Sequence, residues 1–166
     1  EYGFEVEQIS AQEIQDVSIS STKIRTALQE GNMNLANDYL GYNYFFNGEI
    51  VKGKQLGRTI GFPTANIKIE EEYKLIPKNG VYVVKAIINQ EEVFGMMNIG
   101  FNPTVEGQKQ TIEVHLFDFN ADIYGQKIEV SLLQYLREEQ KFDSIDLLKA
   151  QLNQDKKNSF LYLNQL

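Results

Sequence analysis

QTIEVHLFDF, residues 110–119, shows the alternation that decides the fold of this chain. Ile112, Val114 and Leu116 alternate with a second set of side chains that begins with Glu113. Successive side chains of a β-strand point to opposite faces, so the three apolar residues predict an inward face. The same alternation predicts that Glu113 lies on the outward face of this strand.

Five further runs are rich in β-branched and aromatic residues and are separated by Gly, Asn and Pro. They are YNYFFNGEIV (42–51), TANIKI (64–69), GVYVVKAII (80–88), EVFGMMNI (92–99) and KIEVSLLQYL (127–136). β-Branched and aromatic residues favour strands, whereas Gly, Asn and Pro favour turns. The six runs together predict a mainly β fold, an antiparallel barrel.

Helical spacing appears before and after these runs. In residues 18–40, Ser20 or Ser21 can cap a first helix that Gly31 ends, and Leu35, Tyr39 and Leu40 mark a second. The predicted buried face of the first helix combines Ile24, Ala27 and Leu28. We therefore expect two parts, a short helical segment over residues 1–41 and a barrel domain over residues 42–166.

A further helix is predicted after Phe142. Asp143 or Ser144 is its expected cap. Its predicted buried stripe is Ile145, Leu148 and Leu152.

Composition narrows the possible classes of protein. The 166 residues are 42% hydrophobic and carry a net charge of −7, which argues against a broad surface for nucleic acid. The sequence has no run of about 20 apolar residues and no secretory signal in EYGFEVEQIS, so we expect a cytoplasmic protein without a membrane span.

Residue types also limit the metal chemistry. The chain has no cysteine and a single histidine, His115, so a zinc site of cysteines and histidines cannot be assembled. Any metal must be held by oxygen atoms, which suits Mg²⁺.

GKQLGRTIGFPTAN, residues 53–66, is the most unusual segment because Gly53, Gly57 and Gly61 recur at every fourth position. Glycines without a Cβ let a loop approach phosphates closely, and Lys54 and Arg58 add positive charge. An ordinary flexible hairpin loop would explain the same glycines equally well.

Thr64 and Asn66 follow this loop and, two positions apart on a strand, face the same side. Their neutral oxygens could form an incomplete Mg²⁺ shell that phosphate oxygens and water complete. The alternative is that both side chains satisfy local backbone groups.

GRTIGFPTAN (57–66) resembles the signature of the riboflavin kinase family. NIGFNPT (98–104), IEVHLFDFNADIYG (112–125) and YLREEQKFDS (135–144) are similar to later segments of that family in order and spacing. The resemblance spans roughly residues 42–160. It implies a six-stranded antiparallel Greek-key barrel with a C-terminal helix. It also implies a riboflavin kinase activity, in which MgATP phosphorylates riboflavin to give FMN and ADP.

ISSTKIR (19–25) resembles the closing nucleotide-binding motif of the adenylyltransferase module in bifunctional enzymes of this family. Residues 1–41 are therefore expected to be the end of such a module and a linker. Whether the chain is a fragment of a longer protein or a natural protein with one activity stays open at this point.

The resemblance also implies roles for individual residues. Glu113 matches the general base, and Thr64 and Asn66 match the Mg²⁺ and nucleotide ligands. Positions that match nucleotide-binding residues are Gly53, Gly57, Arg58, Gly61, Leu116 and Tyr124. Positions that match the flavin-contacting stretch are Arg137, Gln140 and Phe142.

Each role has a plainer alternative. Glu113 would otherwise be an exposed strand glutamate, and Leu116 and Tyr124 would be core residues. Arg137 would form a salt bridge to Glu138 or Glu139, and Phe142 would be a staple at the start of the last helix. His115 is expected to face away from Glu113 and to be packed or hydrogen-bonded rather than an acid–base group.

Three other functions compete with a riboflavin kinase. The first is a flavin-binding or regulatory barrel that has lost catalysis, since fold alone does not fix function. The second is an oligonucleotide-binding barrel, which the glutamates on the predicted strands, Glu49, Glu113 and Glu129, disfavour. The third is the kinase half of a longer enzyme that also makes FAD.

Overall fold

The computed structural model describes residues 13–14, 17–53, 56–71, 73–104 and 107–166. Its strands are β1 (Glu13–Ile14), β2 (Val17–Ser18), β3 (Phe45–Val51), β4 (Ala65–Ile69), β5 (Gly80–Ile88), β6 (Glu91–Thr104), β7 (Gly107–Leu116) and β8 (Lys127–Arg137). Its helices are α1 (Ser21–Glu30), α2 (Met33–Leu40), α3 (Leu56–Thr59) and α4 (Ile145–Leu163).

Strands β3 to β8 close into an antiparallel barrel in the order β3-β4-β7-β6-β5-β8. All six predicted runs form these strands, so the predicted fold class is confirmed. Strands β4 and β5 are consecutive in the chain but not neighbours in the barrel, so their connection crosses between non-adjacent strands. The seam between β4 and β7 is short, with only Ala65 opposite Val114 and Asn66 opposite Glu113.

The barrel interior is filled by the inward residues of each strand. Fully buried examples from four strands are Phe46, Val84, Ile99 and Val130. Ile112, Val114 and Leu116 belong to the same core cluster, which confirms the predicted inward face of β7.

Helices α1 and α2 pack against this core. Ser20 caps α1 through its side chain, and Gly31 ends it at φ 78°, a left-handed conformation that glycine adopts without strain. Ala27 and Leu28 are buried and Ile24 packs beside them, as predicted. The short β1–β2 hairpin before α1 was not predicted, residues 1–12 lie outside the described part, and the boundary at residue 41 stays a prediction.

The buried side of α2 differs from the prediction. Met33 and Ala36 are buried, whereas Leu35 is 37% exposed. Asn37 explains the orientation, because its side chain donates to the Leu132 carbonyl of β8 at 3.0 Å. Asn37 lies one helical turn after Met33, so this bond turns their shared face towards the barrel.

Helix α4 covers the outward face of part of the barrel. Ser144 is its cap, accepting from the Leu147 N–H at 3.2 Å, and Leu148 and Leu152 pack on a second apolar cluster. That cluster consists of Ile60, Phe62, Met96 and Phe117. Ile145 was predicted to be buried but is 56% exposed, because the first turn of α4 lines a cavity and does not pack on this cluster.

None of the helices in the described ranges is both long enough and apolar enough to cross a membrane.

Candidate active site

Glu113 and Thr64 meet at the short seam between β4 and β7. Glu113 is opposite Asn66 in the ladder, and Thr64 immediately precedes β4. The Thr64 hydroxyl lies 3.4 Å from Glu113 Oε2, a long donor–acceptor distance for a hydroxyl. Glu113 is half-buried, so it is not the exposed strand glutamate of the plainer alternative.

A cavity of about 520 Å³ lies on one side of this pair, between the barrel and α4. We call it the helix-side cavity. Its walls are mainly apolar, formed by Ile60, Phe62, Val81, Met96, Met97, Leu148 and Leu152. Polar groups converge on it from Thr64, Asn98, Glu113, Arg137, Glu139 and Gln140. A largely apolar cavity with a few polar groups is typical of a site for an organic ligand.

A second cavity, of about 370 Å³, lies on the other side and is bounded by the loop that follows β7. We call it the loop-side cavity. It brings together four residues that the sequence assigned to nucleotide binding, Arg58, Thr64, Leu116 and Tyr124. Leu116 also belongs to the barrel core and Tyr124 packs against it, so the core alternative holds for both residues alongside the cavity position. Thr64 lines both cavities.

The glycines of the 53–66 loop are required by close contacts and backbone conformation within the loop itself. A Cβ at Gly57 would overlap the Phe62 carbonyl oxygen, and Gly61 adopts φ 85°. The Phe62 N–H donates to the Gly57 carbonyl at 2.8 Å and α3 lies within the loop, so hydrogen bonds inside the loop hold residues 57–62. Lys54 lies outside the described residues.

Gly53 and Asn66 also meet, because a Cβ at Gly53 would overlap the Asn66 amide. Asn66 lines a third cavity, with Lys52 and Lys68, rather than either of the two described above. It remains next to Glu113 through the ladder. The site therefore places Asn66 beside the carboxylate but outside the two main cavities.

The oxygen atoms of Thr64, Asn66 and Glu113 are the donors available for a metal ion at this seam. Across the described ranges, no group of three or more His, Cys, Asp or Glu residues is placed to hold one. The two neutral oxygens of Thr64 and Asn66, beside the Glu113 carboxylate, fit an incomplete Mg²⁺ shell that water and phosphate oxygens would complete.

Arg137 is anchored by a carboxylate from α4. Its Nε and Nη2 donate to Asp155 at 2.7 to 3.1 Å, and its Nη1 donates to the Glu138 carbonyl. The alternative partner considered for Arg137, the Glu138 or Glu139 side chain, is replaced by Asp155, because α4 packs across β8 and places this buried carboxylate against the guanidinium. Arg137 still lines the helix-side cavity.

Gln140 and Phe142 line the same cavity as Arg137. The Arg137 guanidinium carbon lies 5.9 Å from the centre of the Phe142 ring. All three residues assigned to flavin contact therefore reach one cavity. Whether Phe142 also acts as a helix staple stays a prediction.

A family model described as riboflavin kinase matches residues 40–163. The chain belongs to the riboflavin kinase family. It is 44% identical over 155 residues to a bifunctional riboflavin kinase/FMN adenylyltransferase of Bacillus subtilis, which covers 92% of this chain and 49% of that protein. For the Escherichia coli protein of the same name the identity is 43% over 156 residues, covering 93% and 49%. The chain thus spans about half the length of the curated relatives it matches.

Solved structures give the same fold. A riboflavin kinase from Trypanosoma brucei superposes with a TM-score of 0.54 at 26% identity, covering 72% of this chain and 76% of that one. A protein from Streptococcus pneumoniae described as a macrolide-efflux protein superposes with a TM-score of 0.85 at 39% identity, covering 91% and 49%.

In this riboflavin kinase family member, His115 lies on the same face of β7 as Glu113, two positions earlier, so the prediction that it faces away was wrong. Both residues line the helix-side cavity. The prediction that His115 is packed and hydrogen-bonded is confirmed, because it is buried and its Nδ1 lies 2.8 Å from the Pro63 carbonyl oxygen. Burial lowers the pKa of His115, with a smaller lowering from Lys156, while the Pro63 bond opposes the shift.

Sequence reasoning missed several residues of the helix-side cavity in this riboflavin kinase domain. Asn98 lies within the NIGFNPT segment that carried the family resemblance, so that segment could have identified it. Met96, Met97 and Phe62 read as ordinary core positions, and no local signal separates a cavity wall from a core.

Proposed function

We propose that this chain transfers the γ-phosphoryl group of ATP to the 5′-hydroxyl of riboflavin, giving FMN and ADP. One observation carries the proposal. Thr64 lines both cavities, and its hydroxyl lies 3.4 Å from Glu113 Oε2, so the carboxylate lies beside the residue that the two cavities share. Phosphoryl transfer needs the donor and acceptor to approach one another in line at such a point.

Riboflavin is assigned to the helix-side cavity. A volume of about 520 Å³ with mainly apolar walls suits a flat aromatic ring system. Phe142 offers an aromatic face, and Gln140 offers amide hydrogen-bonding groups at the same opening. This position directs the ribityl chain towards Glu113.

ATP is assigned to the loop-side cavity. Leu116 and Tyr124 supply apolar surface for the adenosine, and Arg58 supplies positive charge for the phosphates. The 53–66 loop, with Gly53, Gly57 and Gly61, would cover the phosphates. Close contacts within the protein explain why Gly53 and Gly57 are glycines, and a left-handed backbone explains Gly61. Their role towards ATP is therefore indirect, through the shape of the loop.

Glu113 is the general base. Its carboxylate accepts the proton of the riboflavin 5′-hydroxyl as the oxygen attacks the γ-phosphorus and the bond to the ADP oxygen breaks. The Thr64 hydroxyl lies beside this carboxylate, and Thr64 borders the cavities assigned to both substrates.

Thr64 and Asn66 would hold Mg²⁺ together with the ATP phosphates. When bound, the ion neutralises charge on the phosphate oxygens. Asn66 is directed to this role by its ladder position opposite Glu113.

Arg137 has a smaller direct role than the sequence suggested. Its charge is balanced by Asp155, and each of its three nitrogens already donates a hydrogen bond. We assign it to shaping the flavin end of the helix-side cavity beside Phe142, with its remaining N–H groups available to the ligand.

The proposal is tested by incubating the chain with riboflavin and MgATP and separating the flavins by chromatography. We expect FMN and no FAD, because the kinase segments are complete while the only adenylyltransferase-like motif is ISSTKIR. Omitting the divalent cation should stop the reaction. A barrel that has lost catalysis would bind riboflavin and leave it unchanged, and appreciable FAD would show a second active site in this chain.

A further inference from the structure

The hydrogen bond between His115 and Pro63 lies where the ladder between β4 and β7 stops. The last paired residues on this side are Ala65 and Val114. Pro63 has no N–H and cannot donate to a continued ladder. The His115 side chain takes over, with its Nδ1 2.8 Å from the Pro63 carbonyl oxygen.

The proton position in this bond follows from the acceptor. A carbonyl oxygen only accepts, so Nδ1 carries the proton and donates it to Pro63. In the neutral ring Nε2 is then the acceptor nitrogen.

Packing fixes the ring in this orientation. His115 is 7% exposed and lies edge-on to two aromatic rings, Phe62 with centroids 5.2 Å apart and Phe117 with centroids 5.8 Å apart. Phe62 directly precedes Pro63, so the imidazole contacts the 53–66 loop through both a ring and a carbonyl.

We propose that His115 is a positioning residue that holds the Pro63–Thr64 peptide in place and thereby keeps the Thr64 hydroxyl opposite Glu113. The proposal rests on the function assigned above. Thr64 precedes the first residue of β4 and the Thr64–Glu113 distance is long, so neither the ladder nor that contact fixes the hydroxyl. His115 and Glu113 lie on one face of β7. The Glu113 carboxylate and the imidazole that holds the Thr64 backbone are therefore fixed to the same strand.

The first test reads the proton directly on the unaltered chain. His115 is the only histidine, so a two-bond ¹H–¹⁵N correlation spectrum contains a single imidazole. We expect the neutral ring protonated on Nδ1. A ring protonated on Nε2 would overturn the proposal, and this result does not depend on whether any variant folds or on enzymatic activity.

The second test compares three substitutions. His115→Asn retains an N–H donor near the Nδ1 position, His115→Gln places it near Nε2, and His115→Phe keeps the ring without a donor. We expect kcat to fall by about 10- to 100-fold in the Phe and Gln variants, since small misplacements have costs of this size. The KM for riboflavin should change less than kcat, because His115 is 7% exposed and presents little surface to the helix-side cavity, and the Asn variant should recover most of kcat.

The outcomes separate this proposal from the assigned function. If the unaltered chain makes no FMN, the assigned function fails, and the positioning role fails with it. A second outcome is that the unaltered chain is active and folded His115→Phe has a kcat within about threefold of that of the unaltered chain. Only the positioning role is then overturned, because ring packing alone is enough to hold the Pro63–Thr64 peptide.

Discussion

At the scale of single residues, the proposed kinase activity depends on the contact between Thr64 and Glu113. The Thr64 hydroxyl lies beside a half-buried carboxylate, and Thr64 lines both cavities. A protein that only held a flavin would have no need of a second cavity beside this carboxylate. In the proposed reaction, the contact links the riboflavin cavity, the ATP cavity and the base.

Thr64→Val tests the hydroxyl because valine has nearly the same shape but no oxygen. We expect kcat to fall by about 10- to 100-fold and the Mg²⁺ concentration for half-maximal activity to rise, as is typical when a metal contact is lost. Thr64→Ser keeps the hydroxyl and is the matched control, expected within about threefold of the unaltered chain. Equal Mg²⁺ titrations for both variants would place the metal elsewhere.

The sequence predicted the face of Glu113 correctly and the face of His115 incorrectly. Alternation along β7 assigned Glu113 to the outward face, and the structure places it there. Although Glu113 is on the outward face, it is not fully exposed, because α4 covers part of this face. Helix α4 comes from residues 145–163, so the local sequence around Glu113 could not predict this cover. His115 was expected to face away from Glu113, but residues two positions apart on a strand share a face, so this expectation misapplied the alternation.

At the scale of secondary-structure elements, Arg137 and Asp155 join the end of β8 to α4. Asp155 is 1% exposed and also accepts from Gln151 at 2.8 Å. Removing one partner of a buried ion pair leaves an uncompensated charge. The position of α4, and with it one wall of the helix-side cavity, depends on this pair.

Arg137→Met should lower the free energy of unfolding by about 3 kcal/mol, the lower end of the usual range, because Gln151 still donates to Asp155. Urea unfolding measures this change. Lys127→Met is the matched control, since its pair with Glu70 is exposed and should contribute nothing measurable. Adding Asp155→Leu to Arg137→Met should recover most of the loss, and a double variant as unstable as the single one would contradict this account.

Helix faces were the least predictable feature at this scale. The apolar positions Leu35 and Ile145 fitted a helical stripe but are exposed. Asn37 and Asp155, both polar, set the orientation of α2 and contribute to the seating of α4 through bonds to β8. Their partners are far away in the sequence, so periodicity alone could not reveal them.

At the scale of the whole molecule, the closed barrel carries two separate cavities, and Thr64 is the residue that lines both. The strand order follows from pairings between distant segments, which the family resemblance implied and the hydrophobic pattern alone did not. The helix-side cavity needs the barrel, the 53–66 loop and α4 together. Its walls were missed from the sequence for that reason.

This separation predicts that substrate affinities change independently. Phe142→Ala should raise the KM for riboflavin by about fivefold and leave the KM for ATP nearly unchanged, since one aromatic contact is worth roughly 1 kcal/mol. Tyr124→Ala should do the reverse. Steady-state kinetics with each substrate varied in turn measures both values, and parallel changes in the two constants for either variant would contradict the assignment of the cavities.

Glu113, as general base, is the residue that would make this barrel a kinase, and the turnover of Glu113→Gln at saturating MgATP and riboflavin tests this claim. Glutamine keeps the shape but removes the basic oxygen. A positioned general base contributes roughly 10²- to 10⁴-fold in rate, or about 3 to 5 kcal/mol of barrier. We expect kcat to fall within that range while both ligands still bind. A folded variant with kcat within about threefold of the unaltered chain would contradict the claim.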